Sequence, residues 1–394
     1  MILPASRLGR LSGSREMTLP LHLSKKDKIN LGSFYTADFL VNEVFAMLRK
    51  YVDYKECVLL DSSCGSGNFL RAEAISKGGF SKNSFSKIIG VDIDKTAIQI
   101  AQDRLDSKVA LLCKNALSGM TRADFDIAES DRLIMVGNPP YNDRTSIVQQ
   151  RLKNKDSNPI DLALQARDIG ISFLRSYERL GADFICVLHP LSYLIKKTNF
   201  QALKKFAKSY KLLDSLIISS KEFCKDSKGH FPIIIALYKR DNIGMDYEYI
   251  YNFSFKIRDR IVKNRRFSLS DFDYIGRYID KYPNKNRAYS GDKVAMFYTL
   301  RDINALRRSK TFMQKENANT IYVTQDKYSL YCYVDVFKQM LGHIPYYLGN
   351  CDVMIDYEKF KDLEAEFVKA SESKIVSSEI LQYFRELLVV HYEG

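Results

Sequence analysis

The chain has 394 residues, 46% of them apolar, which is enough for two folded domains of roughly 150 residues with their own cores. Its formal charge of +13 favours an acidic partner such as nucleic acid. The seven cysteines are scattered and never form a C-x-x-C pair, which argues against a disulfide framework or a metal site and favours the reducing cytoplasm. No apolar run reaches the ~18 to 20 residues of a membrane span.

The opening segment, residues 1–24, carries scattered arginines and serines and no continuous apolar stretch. This composition predicts a disordered tail rather than a secretory signal, with either Met1 or Met17 as the native start. From about residue 41 to residue 240, apolar runs of strand length alternate with helical patterns, which predicts an α/β, doubly wound, mostly parallel sheet. The runs predicted as strands are 58–60, 88–91, 109–112, 133–136, 184–188 and 233–238.

Apolar residues three and four positions apart predict helices over 95–105, 161–180 and 200–210. After Arg240 the sequence changes to basic and aromatic residues mixed with turns. We therefore predict a catalytic domain over 25–242 and an α+β domain over 243–394 that ends in two helices, 359–370 and 378–390.

The segment 59–70, Leu-Leu-Asp-Ser-Ser-Cys-Gly-Ser-Gly-Asn-Phe-Leu, is a buried strand followed by a glycine-rich turn and a helix. Gly65 and Gly67 allow the backbone to approach a ligand closely and to adopt dihedral angles that a side chain would forbid. The alternative is an ordinary strand-to-helix turn. The lack of a third glycine and of a G-K-[ST] sequence argues against a dinucleotide or a P-loop nucleotide.

The next predicted strand ends in Asp92, where a carboxylate can accept hydrogen bonds from both hydroxyl groups of a ribose. The competing role for an acidic residue at this point is a helix cap. Asp94 immediately precedes the predicted helix 95–105, so we assign the cap to Asp94 and the ribose to Asp92.

The strand 133–136 is followed by Gly-Asn-Pro-Pro-Tyr, residues 137–141. Two prolines fix the loop dihedrals, so the amide oxygen of Asn138 and the carbonyl of Pro139 form a rigid pair of acceptors. Such a pair can bind both N–H groups of an aromatic amine and stabilise the positive charge that develops when the nitrogen is alkylated. Tyr141 can stack on a base that leaves the duplex. The alternative is a structural turn with a capping asparagine.

Together, residues 34–36, 61–69, 89–92 and 138–141 resemble the ordered motifs of N6-adenine DNA methyltransferases of the gamma arrangement. The resemblance covers residues 30–240. It implies a Rossmann-like, seven-stranded methyltransferase sheet, S-adenosylmethionine as cofactor, adenine N6 as methyl acceptor, and a target recognition domain at the C-terminal end. Restriction-modification systems use such enzymes, so a separately acting cognate restriction endonuclease is an implied partner.

The resemblance also implies roles for single residues. Tyr35 and Thr36 would line the methionine end of the cofactor, and Asn115 would contact its adenine amine. The family usually has Asp at the position of Asn115, which can weaken cofactor affinity. The residues implied to bind the cofactor are Tyr35, Thr36, Asp61, Cys64, Gly65, Gly67, Asp92, Ile93, Asn115 and Asn138. The residues implied to act in catalysis are Asn138, Pro139, Pro140 and Tyr141.

A second aromatic residue of the family lies against the flipped base, just before the strand that is 233–238 here. Phe223 is the first candidate for this position and Phe231 the second, although either can be a core aromatic. Asp168 would start the helix after the catalytic loop, and capping is its expected role.

The tract 256–287 interleaves Arg and Lys with Phe and Tyr, a pattern typical of surfaces that follow phosphates. A solvated charged face is the ordinary alternative. The residues predicted to contact DNA phosphates or base edges are Arg258, Arg260, Lys263, Arg265 and Arg266.

From these observations the sequence predicts a site-specific adenine-N6 methyltransferase of double-stranded DNA. We expect a cytoplasmic, nucleoid-associated monomer or weak dimer from a prokaryote or phage host. An RNA adenine methyltransferase or a protein glutamine methyltransferase would use the same Asn-Pro-Pro-Tyr chemistry and is the alternative. Each of these is usually a smaller core that lacks a large C-terminal domain.

Overall fold

The computed structural model describes residues 36–53, 56–81, 84–141, 159–222, 231–258, 264–284 and 292–391. Within these ranges the fold is centred on one seven-stranded sheet, with smaller two-stranded pairings in the C-terminal part. None of the helices in these ranges is long and apolar enough to cross a membrane.

The order of the strands in the large sheet is β3-β2-β1-β4-β5-β7-β6. The first five strands pair in parallel, and β7 runs antiparallel to both of its neighbours. Every residue of β1 and β4 is buried, as expected of central strands covered on both faces. The strands are β1 (Cys57–Asp61), β2 (Phe85–Asp92), β3 (Val109–Cys113), β4 (Leu133–Gly137), β5 (Phe184–Pro190), β6 (Tyr210–Ser219) and β7 (Pro232–Arg240).

Within the described part of the chain, seven short or medium helices accompany the sheet. Two of them begin at aspartates whose side chains accept backbone N–H groups, Asp94 before α3 and Asp168 before α4. Both capping roles predicted from the sequence are therefore confirmed. The helices are α1 (Asp38–Arg49), α2 (Ala72–Lys77), α3 (Lys95–Arg104), α4 (Ile169–Arg179), α5 (Ser192–Ile195), α6 (Lys197–Ala202) and α7 (Lys204–Ser209).

The C-terminal region combines short antiparallel strand pairs with helices, as the α+β prediction requires. Its strands are β8 (Phe255–Lys256), β9 (Arg266–Phe267), β10 (Asp273–Tyr274), β11 (Lys293–Tyr298), β12 (Thr320–Thr324) and β13 (Met354–Ile355). Its helices are α8 (Tyr247–Tyr251), α9 (Ile303–Leu306), α10 (Tyr328–Gln339), α11 (Tyr357–Asp362), α12 (Glu364–Ser373) and α13 (Ser378–Leu388).

The C-terminal region packs directly on the sheet. The Lys256 side chain pairs with Asp214, a buried carboxylate on β6, and the Arg258 amide donates to the Ile217 carbonyl at 2.8 Å. The buried apolar residues form one continuous cluster from α1 through the sheet to α13. A domain boundary at 242/243 thus remains a prediction. The segment that follows it contacts β6 through this ion pair and this hydrogen bond.

The six predicted strands are present as β1–β5 and β7, and the prediction of a mostly parallel, doubly wound sheet is confirmed. Strand β6 was not predicted. The expected helix 200–210 is instead two short helices followed by β6, which begins at Tyr210. The expected helix 161–180 begins only at Ile169, where the Asp168 side chain caps it, and the upstream Asp161 carboxylate accepts the Gly119 amide and pairs with Arg179.

Candidate active site

The glycine-rich turn, Asp92 and the Asn-Pro-Pro-Tyr loop lie at one edge of the sheet. In the pairing register, Asp61 lies opposite Gly90, Asp92 opposite Cys113, and Gly137 opposite Val187. Because β1, β2 and β4 are parallel, their carboxyl ends meet at this edge. The glycine-rich turn follows β1 and the Asn-Pro-Pro-Tyr loop follows β4, so the structure brings both motifs to the same place.

The glycine-rich turn has left-handed backbone at both predicted positions, with φ of 52° at Gly65 and 80° at Gly67. The two glycines differ in what faces them. A Cβ added at Gly65 would meet no atom within 4 Å, whereas one at Gly67 would lie 2.5 Å from the Leu105 side chain. Gly65 therefore faces open space, and Gly67 is needed for packing against the end of α3.

Asp61 is a buried carboxyl group at the end of β1. Its Oδ1 accepts the Ser63 amide at 3.0 Å, and its Oδ2 has no hydrogen-bond partner among the described residues. Burial, together with the nearby negative charge of Asp92, raises the pKa of Asp61 from 3.8 to about 8. Without a ligand, Asp61 therefore holds a proton at neutral pH, and its unpartnered Oδ2 fits a site in which a cationic ligand replaces that proton.

Asp92, at the end of β2, is half-buried and accepts two backbone amides, Gly65 N at 2.8 Å and Asp94 N at 3.0 Å. These bonds tie the glycine-rich turn to β2 and leave each oxygen with a second lone pair. Burial raises the pKa of Asp92 although the two bonds act against it. The neighbouring Ile93 is 43% exposed, an apolar surface at the same edge.

Asn138 follows β4 with its amide held from one side. Its Nδ2 lies 3.2 Å from the Thr36 hydroxyl oxygen, and its buried Oδ1 has no partner among the described residues. The Thr36 carbonyl in turn accepts the Asn68 Nδ2 at 2.9 Å. The acceptor required by the sequence argument is thus present, oriented by Thr36 and available. Pro139 is buried and Pro140 half-buried beside it.

Tyr141 is buried and lies next to α4, since a Cβ at Gly170 would approach the Tyr141 Cβ to 3.2 Å. Burial raises the pKa of Tyr141, so its hydroxyl stays neutral. Behind it, the Tyr193 hydroxyl donates to Asp168, the cap of α4, and the Tyr193 ring stacks on His189.

His189 is buried at the end of β5, where its ring stacks on Tyr193. Its Nδ1 donates to the Pro190 carbonyl at 2.9 Å, so Nε2 accepts the Tyr238 hydroxyl at 2.7 Å. Burial lowers the pKa of His189 to about 4. This histidine is therefore a neutral structural group and does not supply a proton at neutral pH.

Two further predicted residues are described. Asn115 follows β3 with both ends of its amide engaged, Nδ2 with the Pro159 carbonyl at 2.7 Å and Oδ1 with the Leu117 amide at 3.0 Å. Only a second lone pair on Oδ1 remains for a ligand. Phe231 precedes β7 and is 38% exposed. Because β7 runs antiparallel to β5, Phe231 lies near the carboxyl end of β5. Tyr35 and Phe223 lie outside the described residues.

Several of the described basic residues of the tract have partners within the chain. The Arg258 guanidinium pairs with Glu43 on α1 at 3.0 Å and lies 4.6 Å from the centre of the Phe39 ring. Arg265 donates to the Tyr347 hydroxyl at 3.3 Å, and Arg266 is exposed on β9. Arg260 and Lys263 lie outside the described residues. Among the described residues of the chain, no group of three or more His, Cys, Asp or Glu could hold a metal ion.

No protein-family model matches the chain. Solved structures with a similar fold include a candidate RNA methyltransferase from Pyrococcus horikoshii, at 15% identity and a TM-score of 0.36 over 55% of this chain and 90% of that one. A type I restriction-modification methyltransferase subunit from Streptococcus thermophilus matches at 15% identity and a TM-score of 0.37, over 60% of this chain and 50% of the subunit.

The type IIG restriction endonuclease BpuSI matches at 15% identity and a TM-score of 0.38. The match covers 57% of this chain and 26% of the endonuclease. The chain thus spans half of the subunit's length and about a quarter of the endonuclease's. Similarity at this level is confined to fold. The strand order, the antiparallel β7 and the glycine-rich turn after β1 define a Rossmann-like methyltransferase fold.

Asn68 was not predicted to belong to the site. It is buried next to Thr36, and its Oδ1 has no hydrogen-bond partner among the described residues. Its place directly after Gly67 was visible in the sequence, but nothing there showed which way its amide would point. The contacts that join Tyr238, His189 and Tyr193, one hydrogen bond and one ring stack, were missed as well, because these residues come from separate elements.

Proposed function

We propose that the protein is an S-adenosylmethionine-dependent methyltransferase that modifies the N6 amine of adenine in double-stranded DNA at one short sequence. The observation that carries this proposal is the buried, unpartnered Oδ1 of Asn138 at the sheet edge that also holds the glycine-rich turn. An acceptor kept without a donor in a rigid Pro-Pro loop fits a site for an amine substrate.

The residues at this edge fit the proposed cofactor. The Asp61 Oδ2 is a buried acceptor suited to an ammonium group, and the space in front of Gly65 leaves room for a ligand. Asp92 retains lone pairs for two ribose hydroxyls, and Ile93 offers an apolar surface to an adenine ring. When bound, S-adenosylmethionine supplies an electrophilic methyl group on a positively charged sulfur. Tyr35, Thr36, Cys64, Gly67 and Asn115 complete the proposed cofactor set.

The chain's own residues then act on the target amine. Thr36 holds the Asn138 amide so that Oδ1 can accept one N–H, and the Pro139 carbonyl accepts the other. Both bonds strengthen as positive charge develops on the nitrogen, so the acceptors stabilise the transition state more than the ground state. Tyr141 and Phe231 or Phe223 are proposed to stack on an adenine flipped out of the duplex.

The choice of DNA rests on the C-terminal region and the charge. About 150 residues follow the sheet, far more than phosphate anchoring needs, which favours sequence recognition. Among the described basic residues of the tract, Arg266 is exposed on β9 and is the foremost proposed phosphate contact. We further propose that the enzyme is the modification partner of a restriction endonuclease that acts separately.

The decisive experiment incubates the protein with methyl-labelled cofactor and duplex DNA, single-stranded DNA, RNA or a protein mixture. We expect label in duplex DNA, recovered as N6-methyladenine, and methylation-aware sequencing should place it in one short sequence. An Asn138→Ala variant should lose the label, whereas Asn199→Ala, a substitution on α6, should keep it. Label in RNA or on protein glutamine would establish the alternative substrates. Label on cytosine or at random adenines would refute the proposal.

A further inference from the structure

We propose that Asn68 is a cofactor-binding residue whose Oδ1 accepts a hydrogen bond from the α-ammonium group at the methionine end of S-adenosylmethionine. This inference rests on the proposed function and assigns a contact to Asn68, which lies within the motif 61–69 but was given no role there. Asn68 is the first residue after the glycine-rich turn, at the start of a single helical turn, Asn68–Leu70.

The orientation of the Asn68 amide is fixed by its partner. Its Nδ2 donates to the backbone carbonyl of Thr36 at 2.9 Å, and a carbonyl oxygen can only accept. The amide therefore cannot be reversed without losing this bond. Its Oδ1 is turned away from Thr36, is buried, and has no partner among the described residues. Such an acceptor needs a donor, since burying it without one destabilises the protein.

The position of Asn68 places this acceptor beside the reacting groups. Thr36 joins Asn68 through its carbonyl and Asn138 through its hydroxyl, so the two asparagines flank one residue. Asp61 is in contact with the residue before Asn138, because a Cβ at Gly137 would lie 2.7 Å from the Asp61 Oδ1. Three acceptor oxygens without partners, on Asp61, Asn68 and Asn138, thus belong to one continuous group of contacts.

The chemistry of the cofactor then selects the ammonium group. Asn138 is assigned to the target amine, so the transferred methyl and its sulfur must be close to it. In the sheet, β1 lies between β2 and β4. The ribose-binding Asp92 is on β2, and Asn138 follows β4. Asn68 belongs to the Asn138 side through Thr36, where the amino-acid chain on the sulfur is expected. The ammonium is the strong N–H donor of that chain, and its carboxylate cannot donate.

Calorimetric binding of two thioethers tests the assignment without turnover. S-adenosylhomocysteine carries the ammonium, and 5′-S-(3-carboxypropyl)-5′-thioadenosine lacks only that group. We expect Asn68→Ala to weaken S-adenosylhomocysteine binding about 10-fold or more, the scale of a hydrogen bond to a charged group, and to change binding of the second ligand less than about 2-fold. Asn68→Ser, with a shorter side chain, should show the same selective loss and serves if the alanine variant does not fold.

Asn199→Ala, on α6, is the matched control, because the Asn199 Nδ2 also donates to a backbone carbonyl. Its acceptor is the Ser192 carbonyl at 3.1 Å. It should leave both affinities unchanged. Equal weakening of both thioethers by the Asn68 variants, or none, would overturn the assignment while the proposed function stands. Failure of the wild-type protein to bind either thioether would overturn both proposals together.

Discussion

The buried carboxyl group of Asp61 makes the stability of the protein depend on pH in a way that one substitution isolates. Burial raises its pKa in the folded state from 3.8 to about 8, so the folded protein holds this proton while the unfolded chain releases it. The stabilisation is fully present below pH 4 and is lost as the pH rises through 8. A shift of about four pH units corresponds to about 5 kcal/mol.

Asp61→Asn keeps the shape of the side chain and removes the titration. The test compares the free energies of unfolding of the wild-type protein and of Asp61→Asn, both without ligand. The wild-type value minus the variant value should fall by up to about 5 kcal/mol between pH 4 and pH 9. Urea unfolding at matched pH values measures this difference. Ser63→Ala, which retains the amide that Asp61 accepts, should differ from wild type by a constant amount. A difference for Asp61→Asn that is equally constant, or that rises with pH, would refute the burial argument.

Three further predictions concern single residues. Asn138→Ala should leave cofactor affinity nearly unchanged and lower the single-turnover rate by about two orders of magnitude or more, since it removes an acceptor used in the transition state. Asp92→Ala should weaken cofactor binding by about 1.5 to 3 kcal/mol in calorimetry, because it removes charged acceptors from the ribose and from Gly65. Arg266→Ala should reduce the slope of log affinity for DNA against log salt concentration by about 0.9. Arg258 is already paired with Glu43, so Arg258→Ala should leave that slope unchanged and destabilise folding by about 1 kcal/mol.

Each of these has an outcome that contradicts it. Retained turnover in Asn138→Ala would remove this residue from catalysis, and unchanged cofactor affinity in Asp92→Ala would remove that carboxylate from the ribose. If Arg266→Ala leaves both the salt slope and the sequence preference of binding unchanged, the exposed part of the tract is a solvated surface. A reduced slope in Arg258→Ala would mean that this arginine leaves Glu43 to bind phosphate.

Most of the sheet could be predicted because its strands are continuous apolar runs between turn residues. Strands β1 and β4 are buried on both faces, so their sequences contain little besides Val, Leu, Ile and Met. Strand β6 escaped prediction because its ten residues include Asp214 and two serines. The Asp214 carboxylate is tolerated there since Lys256 neutralises it from the C-terminal region, a partner that no local pattern reveals.

The loops of the candidate site were predictable for a related reason, since their conformation and capping depend on adjacent residues. Gly65 and Gly67 supply left-handed backbone in one turn, and Asp94 caps the helix that it precedes. Such properties depend on the residues themselves and on their neighbours in the chain. The sequence by itself therefore determined the motifs, their order and the sheet edge at which they meet.

Only the tertiary structure decided how the side chains around those motifs are held. The Thr36 hydroxyl orients Asn138 from 102 positions away, and Arg258 pairs with Glu43 across 215 positions. Basic residues that a local pattern assigns to phosphates can equally bind carboxylates of their own chain, because folding brings those carboxylates close to them. Hydrogen bonds and ion pairs of this kind form between residues that folding brings together, so their partners cannot be inferred from spacing along the chain.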